Sequence, residues 1–189
     1  MKVVHKDSEA VQICAELLCA EKVLILPTDT VYGFSGIIDK TEQKIRDIKG
    51  RGDDKPFIIL IGKPEDIYMI SDIEIPQRLF TLWPGPLTII VPNKNTHKTT
   101  AVRCPGDEWL RSVIRSCGAP IYSTSVNRSG FPVIGPIQQI ISEFGNDVDL
   151  IVDDGDCVNQ VPSTIISLSK DGISLLRQGS LTIPKELLI

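Results

Sequence analysis

No apolar run in this chain is longer than the five residues Phe57 to Ile61, and this limits what it can fold into more than any other feature. A membrane span needs about 20 such residues. Val23 to Leu26, Phe57 to Ile61 and Leu87 to Val91 instead have the length of buried strands, the first stopped by Pro27. Segments of helical spacing lie between them. Asp7 or Ser8 can cap a helix carrying Ala10, Ile13, Cys14, Leu17 and Leu18. Asp39 with Glu42 resembles a capping box ahead of Ile45 and Ile48, and Pro64 and Pro76 suit first-turn positions of two further helices. Asp107 can cap a helix with Leu110, Val113, Ile114 and Cys117, closed by Gly118, and Ile137 to Phe144 reads as another, ended by Gly145. Further strands are expected at Ala101 to Arg103, Ile121 to Thr124, Leu150 to Val152, Thr164 to Leu168 and Ile173 to Leu176, the last two joined by a hairpin at Asp171-Gly172. Strands and helices interleave without strict βαβ regularity, which predicts an α/β or α+β domain with a mixed sheet. No repeat or linker divides residues 1–189, so one domain is expected.

The 189 residues suffice to bury about 70% of the unfolded surface, and 42% apolar with 23% charged residues excludes disorder. Net charge is −4, from 20 basic and 24 acidic residues, which argues against a broad polyanion-binding surface but leaves room for a local basic pocket. Five cysteines at irregular gaps, none in Cys-x-x-Cys, exclude a zinc ribbon and a disulfide framework, so the cysteines are expected reduced. Two histidines offer little for a triad. The N-terminus shows no signal-peptide pattern, and a cytoplasmic location is expected. The phosphate-binding P-loop, the dinucleotide fingerprint and the Gly-x-Ser-x-Gly elbow are all missing.

Several polar segments could carry chemistry. Lys49-Gly50-Arg51-Gly52-Asp53-Asp54-Lys55-Pro56 has the compact positive charge and close backbone approach that phosphate needs, though Asp53 and Asp54 could simply neutralise the cations in a solvated turn. Pro27-Thr28-Asp29-Thr30-Val31-Tyr32-Gly33 leaves a buried strand with hydroxyls, a carboxylate and an aromatic, either as a ligand loop or as a strand-capping turn. Ser123-Thr124-Ser125-Val126-Asn127 suits a small polar ligand, or is only a serine-rich loop. Pro162-Ser163-Thr164 and Arg177-Gln178-Gly179 flank the hairpin. Asp153-Asp154-Gly155-Asp156 could hold Mg²⁺ or form a charged turn, and Trp83-Pro84-Gly85-Pro86 reads as a rigid turn with an anchoring aromatic.

In order and spacing these segments, together with Leu87-Thr88 and Ala101-Val102-Arg103, resemble the YrdC-like family of threonylcarbamoyl-AMP synthases from about residue 8 to 180. The resemblance implies a twisted mixed sheet flanked by helices around a large basic cleft, in the family's short single-domain form. It implies a nucleotidyltransferase joining L-threonine, bicarbonate and ATP into threonylcarbamoyl-AMP with release of pyrophosphate. The product would serve threonylcarbamoyladenosine formation in tRNA, through separate tRNA-modification partner proteins and without a membrane. Carried over by motif, Thr28, Tyr32, Arg103, Ser125 and Ser163 would hold threonine. Lys49, Arg51, Lys55, Thr99, Asn127 and Arg177 would bind ATP. Mg²⁺ would arrive with the ATP phosphates, with no prosthetic group and no dedicated metal ligands. Two positions depart from the family pattern: Val126 replaces an alanine, and Gly135 stands where a threonine is frequent. A double-stranded RNA or tRNA-binding module of the same fold is the alternative.

Overall fold

The computed structural model describes residues 2–52, 56–96, 98–157 and 161–187. The strands are β1 (Val3–His5), β2 (Leu24–Leu26), β3 (Gly33–Ile37), β4 (Ile58–Leu60), β5 (Leu87–Pro92), β6 (Thr99–Arg103), β7 (Ile121–Ser125), β8 (Leu150–Asp153), β9 (Thr164–Ser169) and β10 (Gly172–Arg177). The helices are α1 (Ser8–Cys19), α2 (Glu42–Lys49), α3 (Gln77–Phe80), α4 (Glu108–Cys117) and α5 (Ile137–Phe144). All ten strands join one sheet in the order β1-β8-β2-β3-β7-β4-β6-β5-β9-β10. Parallel pairs (β1/β8, β2/β8, β4/β6, β5/β9) mix with antiparallel ones, as the irregular alternation in the sequence predicts.

Strand alternation divides the core. Leu24, Leu26, Leu60, Ile121, Leu150 and Val152 face α1 and α4, which cover them with Cys14, Leu18, Leu110, Val113 and Ile114. Ile25, Ile59, Tyr122 and Ile151 point to the other side, where Ile45 of α2, Leu79 of α3 and Phe144 of α5 pack. The caps of α1 and α4 form as expected: Asp7 accepts from the Ala10 amide at 2.8 Å and Asp107 from the Leu110 amide at 2.9 Å. Gly118 closes α4 in the left-handed conformation. Among the described residues, no helix is long and apolar enough to cross a membrane.

Three readings of the sequence need correction. The Asp39–Glu42 capping box does not form. Asp39 has φ +62°, Thr41 occupies the N-cap, and the Glu42 carboxylate turns to Arg46 at 2.6 Å. Pro76 lies one residue before the first turn of α3, at its N-cap. Strands β1 and β3 were not foreseen. β3 is hard to read because it carries two glycines, and packing explains both. A Cβ on Gly33 would sit 2.6 Å from Ser123 Oγ, and one on Gly36 2.2 Å from Thr41 Oγ1.

Candidate active site

The cavity begins where helical cover ends. Ile58, Ala101 and Ile90 stand in one cross-strand row with Ser123. They point to the α1/α4 side of the sheet, at the end of the region that α1 and α4 cover. They line the floor of a cavity of about 380 Å³. The walls are loops at strand ends: Thr28 and Thr30 after β2, Arg51 after α2, Ser163 before β9 and Arg177 at the end of β10. Strand-end loops on a rigid sheet are where open α/β folds place ligands.

Arg103 closes the floor. It is 4% exposed; its Nη2 donates to Asp29 Oδ1 at 2.7 Å and its Nη1 to Thr30 Oγ1 at 3.0 Å. Burial pulls this guanidinium below the usual arginine range, and the Asp29 carboxylate opposes that shift. Its Nε is the one buried side-chain polar atom among the described residues without a hydrogen-bond partner. Asp29 is itself held by the Gly106 amide at 2.7 Å. Thr28 organises its own loop: its hydroxyl donates to the Val31 carbonyl at 2.8 Å and accepts from the Thr30 and Val31 amides.

Across the cavity, Ser163 is buried and shares a hydrogen bond with Thr88, Oγ to Oγ1 at 2.8 Å. Arg177 reaches back to the Ser163 carbonyl with Nη2 at 2.8 Å and Nε at 3.2 Å. Gly179 permits this return, because a Cβ there would fall 2.2 Å from the Pro162 oxygen and 2.4 Å from the Ser163 carbonyl carbon. Arg51 bonds the Pro56 carbonyl at 3.0 Å and lies over the Phe57 ring.

Of the residues named from sequence, Thr28, Tyr32, Arg51, Arg103, Ser125, Ser163 and Arg177 line this one cavity. Tyr32 contributes its ring only. Its hydroxyl is engaged, donating to the Gly155 carbonyl and accepting from the Asp154 amide, each at 2.8 Å. Lys49 and Asn127 sit one layer behind. The Lys49 ammonium, 1% exposed, donates to the carbonyls of Ser125 and Asn127 and to Asn127 Oδ1, and Ser125 Oγ donates to the same Oδ1 at 2.9 Å. Burial, helped by nearby Arg51, pushes the Lys49 pKa down to about 7. Thr99 lines a separate, neighbouring pocket beside Phe57 and Tyr122. Lys55, with Asp53 and Asp54, lies outside the described residues.

Asp29, Thr30, Thr88 and Gly179 had no role assigned from sequence, although each stands inside or beside a quoted motif. The 153–156 segment is a structural turn: Asp153 accepts from the Gly155 amide, Asp154 pairs with Lys6, and Asp156 accepts from the Ile137 amide. No cluster of three or more histidine, cysteine or carboxylate side chains fit for a metal ion exists among the described residues.

Residues 16–179 match a family model, Sua5_yciO_yrdC, described as telomere recombination. The threonylcarbamoyl-AMP synthase of Bacillus subtilis is 34% identical over 185 residues, which cover 89% of this chain and 53% of that protein. The threonylcarbamoyl-AMP synthase of Pyrococcus abyssi is 31% identical, covering 90% of this chain and 54% of its own. The P. abyssi Sua5 structure complexed with L-threonine superposes with a TM-score of 0.84 at 30% identity, over 95% of this chain and 57% of that one. The chain thus spans about half the length of these relatives.

Proposed function

Because the chain belongs to the Sua5/YciO/YrdC family, we propose that it is a threonylcarbamoyl-AMP synthase, a nucleotidyltransferase acting on L-threonine, bicarbonate and ATP. One observation carries the reading. Arg103, a buried arginine that lines the cavity together with Thr28, Ser125 and Ser163, has an Nε donor without a hydrogen-bond partner among the described residues. A buried unpaired donor costs roughly 1–3 kcal/mol, and a substrate carboxylate would remove that cost.

In this reading threonine places its carboxylate against Arg103 and its hydroxyl among the serines and threonines. Arg51 and Arg177 face the ATP phosphates, and Lys55 is assigned to them by its motif alone. Lys49 and Asn127 act from behind, holding the Ser125–Asn127 backbone in place. The threonine amine and bicarbonate condense to a carbamate with loss of water. A carbamate oxygen then attacks the α-phosphorus of ATP, and the bond to pyrophosphate breaks. Charge moves onto the leaving pyrophosphate, where preorganised cations stabilise it without a covalent protein nucleophile. The described cavity lining offers arginines and hydroxyls in place of a carboxylate cage, so Mg²⁺ would ride on the phosphates. The product would pass to tRNA-modifying partner proteins.

Pyrophosphate release from ATP tests this, with threonine and bicarbonate each omitted in turn. Omitting either should abolish release. Undiminished release without threonine overturns the proposal.

A further inference from the structure

On the side of the sheet that α1 and α4 cover, their C-terminal residues meet. Cys19 Sγ lies 3.7 Å from Cys117 Sγ and donates to the Cys117 carbonyl at 3.4 Å. Cys19 is exposed and Cys117 half-buried, whereas Cys14 and Cys104 are fully buried. The two residues stand 98 positions apart in sequence, with no local spacing to reveal the pair. Each is the last residue of its helix, and a bond would bring the two sulfurs from 3.7 Å to about 2.0 Å.

We infer that Cys19 and Cys117 form a reversible intramolecular disulfide when the protein meets a small-molecule disulfide such as oxidised glutathione. The exposed Cys19, as thiolate, attacks one sulfur of the small disulfide. That S–S bond breaks, a mixed disulfide forms on Cys19, and one glutathione thiolate leaves. Cys117 then loses its proton and attacks the Cys19 sulfur, and the second glutathione thiolate leaves. The protein loses two thiol protons and two electrons, and the glutathione disulfide gains both electrons. The order follows from access. Cys117 is half-buried, and burial together with the neighbouring thiol pushes its pKa up to about 11, so the exposed Cys19 is the thiol that meets the small disulfide first. The bond would close a loop through about half of the chain and tie together the leads into β2 and β7, the strands that deliver Thr28 and Ser125.

The test is incubation of the native full chain with oxidised glutathione, followed by non-reducing peptide mapping and thermal melting. The expected result is one crosslinked peptide pair holding Cys19 and Cys117, no retained glutathione, and a midpoint higher by roughly 5–15 °C that dithiothreitol reverses. In Cys117→Ser the glutathione should stay on Cys19. A stable adduct on Cys19 in the unmodified chain, an internal bond to any other cysteine, or no reaction at Cys19 each overturns the inference. So does a Cys117→Ser protein that sheds glutathione as the wild type does.

Discussion

Asp29 Oδ1 stands 2.7 Å from Arg103 Nη2, and this ion pair, 15% and 5% exposed, joins the loop after β2 to the end of β6 on the cavity wall. Water screens it little, and removing one partner strands the other's charge. Asp29→Asn should therefore cost about 3 kcal/mol of stability in urea unfolding. Lys22→Met, which breaks the exposed 3.4 Å pair with Asp149, should cost under about 1 kcal/mol. Equal losses would show that the buried pair does not organise the wall.

Arg51→Ala and Arg177→Ala should each weaken ATP binding about 10- to 150-fold in calorimetry, because a charge-assisted phosphate contact is worth roughly 1.5–3 kcal/mol. Unchanged ATP affinity in either variant would remove that arginine from the nucleotide site.

Lys49 provides a pH dependence. Its pKa is about 7 folded and near the ordinary 10.5 unfolded, so between those values the unfolded chain binds more protons. Stability should therefore climb as pH rises from about 7 toward 10, and Lys49→Met should lose that part of the slope. Urea midpoints across this range check it, and identical slopes in the two proteins would assign the effect elsewhere.

Gly179→Ala puts a methyl group against three backbone atoms of 162–164, none of which can rotate away. Overpacking of this kind costs typically 1–3 kcal/mol. The same change should displace Arg177 from Ser163, so ATP affinity should fall together with stability. A variant as stable and as tight-binding as the wild type would contradict the close approach.

Substrate choice should follow threonine, then serine, then valine in kcat/KM for pyrophosphate release. The methyl group of threonine separates it from serine by only about 10- to 200-fold. Valine fills the same space but brings no hydroxyl to the remaining lone pairs of Ser125 Oγ and Ser163 Oγ, which already bond Asn127 and Thr88, and that loss discriminates more sharply. Valine turning over faster than serine would show that these hydroxyls do not read the substrate.

The sequence by itself determined the elements whose signals are local. Ile137 to Phe144 is helical as its spacing predicts, Asp107 and Gly118 bracket α4, and β9 and β10 pair across the expected turn. The ordered motifs also named seven residues that line the one cavity. Tertiary structure alone decided the rest. β3 was illegible because its glycines answer to packing: Gly33 to Ser123, far along the chain, and Gly36 to Thr41, which turns back over the strand from the start of α2. Lys49 looks like a phosphate ligand in sequence, yet its ammonium is turned onto the carbonyls of Ser125 and Asn127. Asp29 carries no label of its own until Arg103 arrives from 74 residues away. Caps and periodicity act within one or two turns of chain, so local residue types encode them. Which polar atom meets which across a sheet depends on strand order and register, and these exist only once the whole chain has packed.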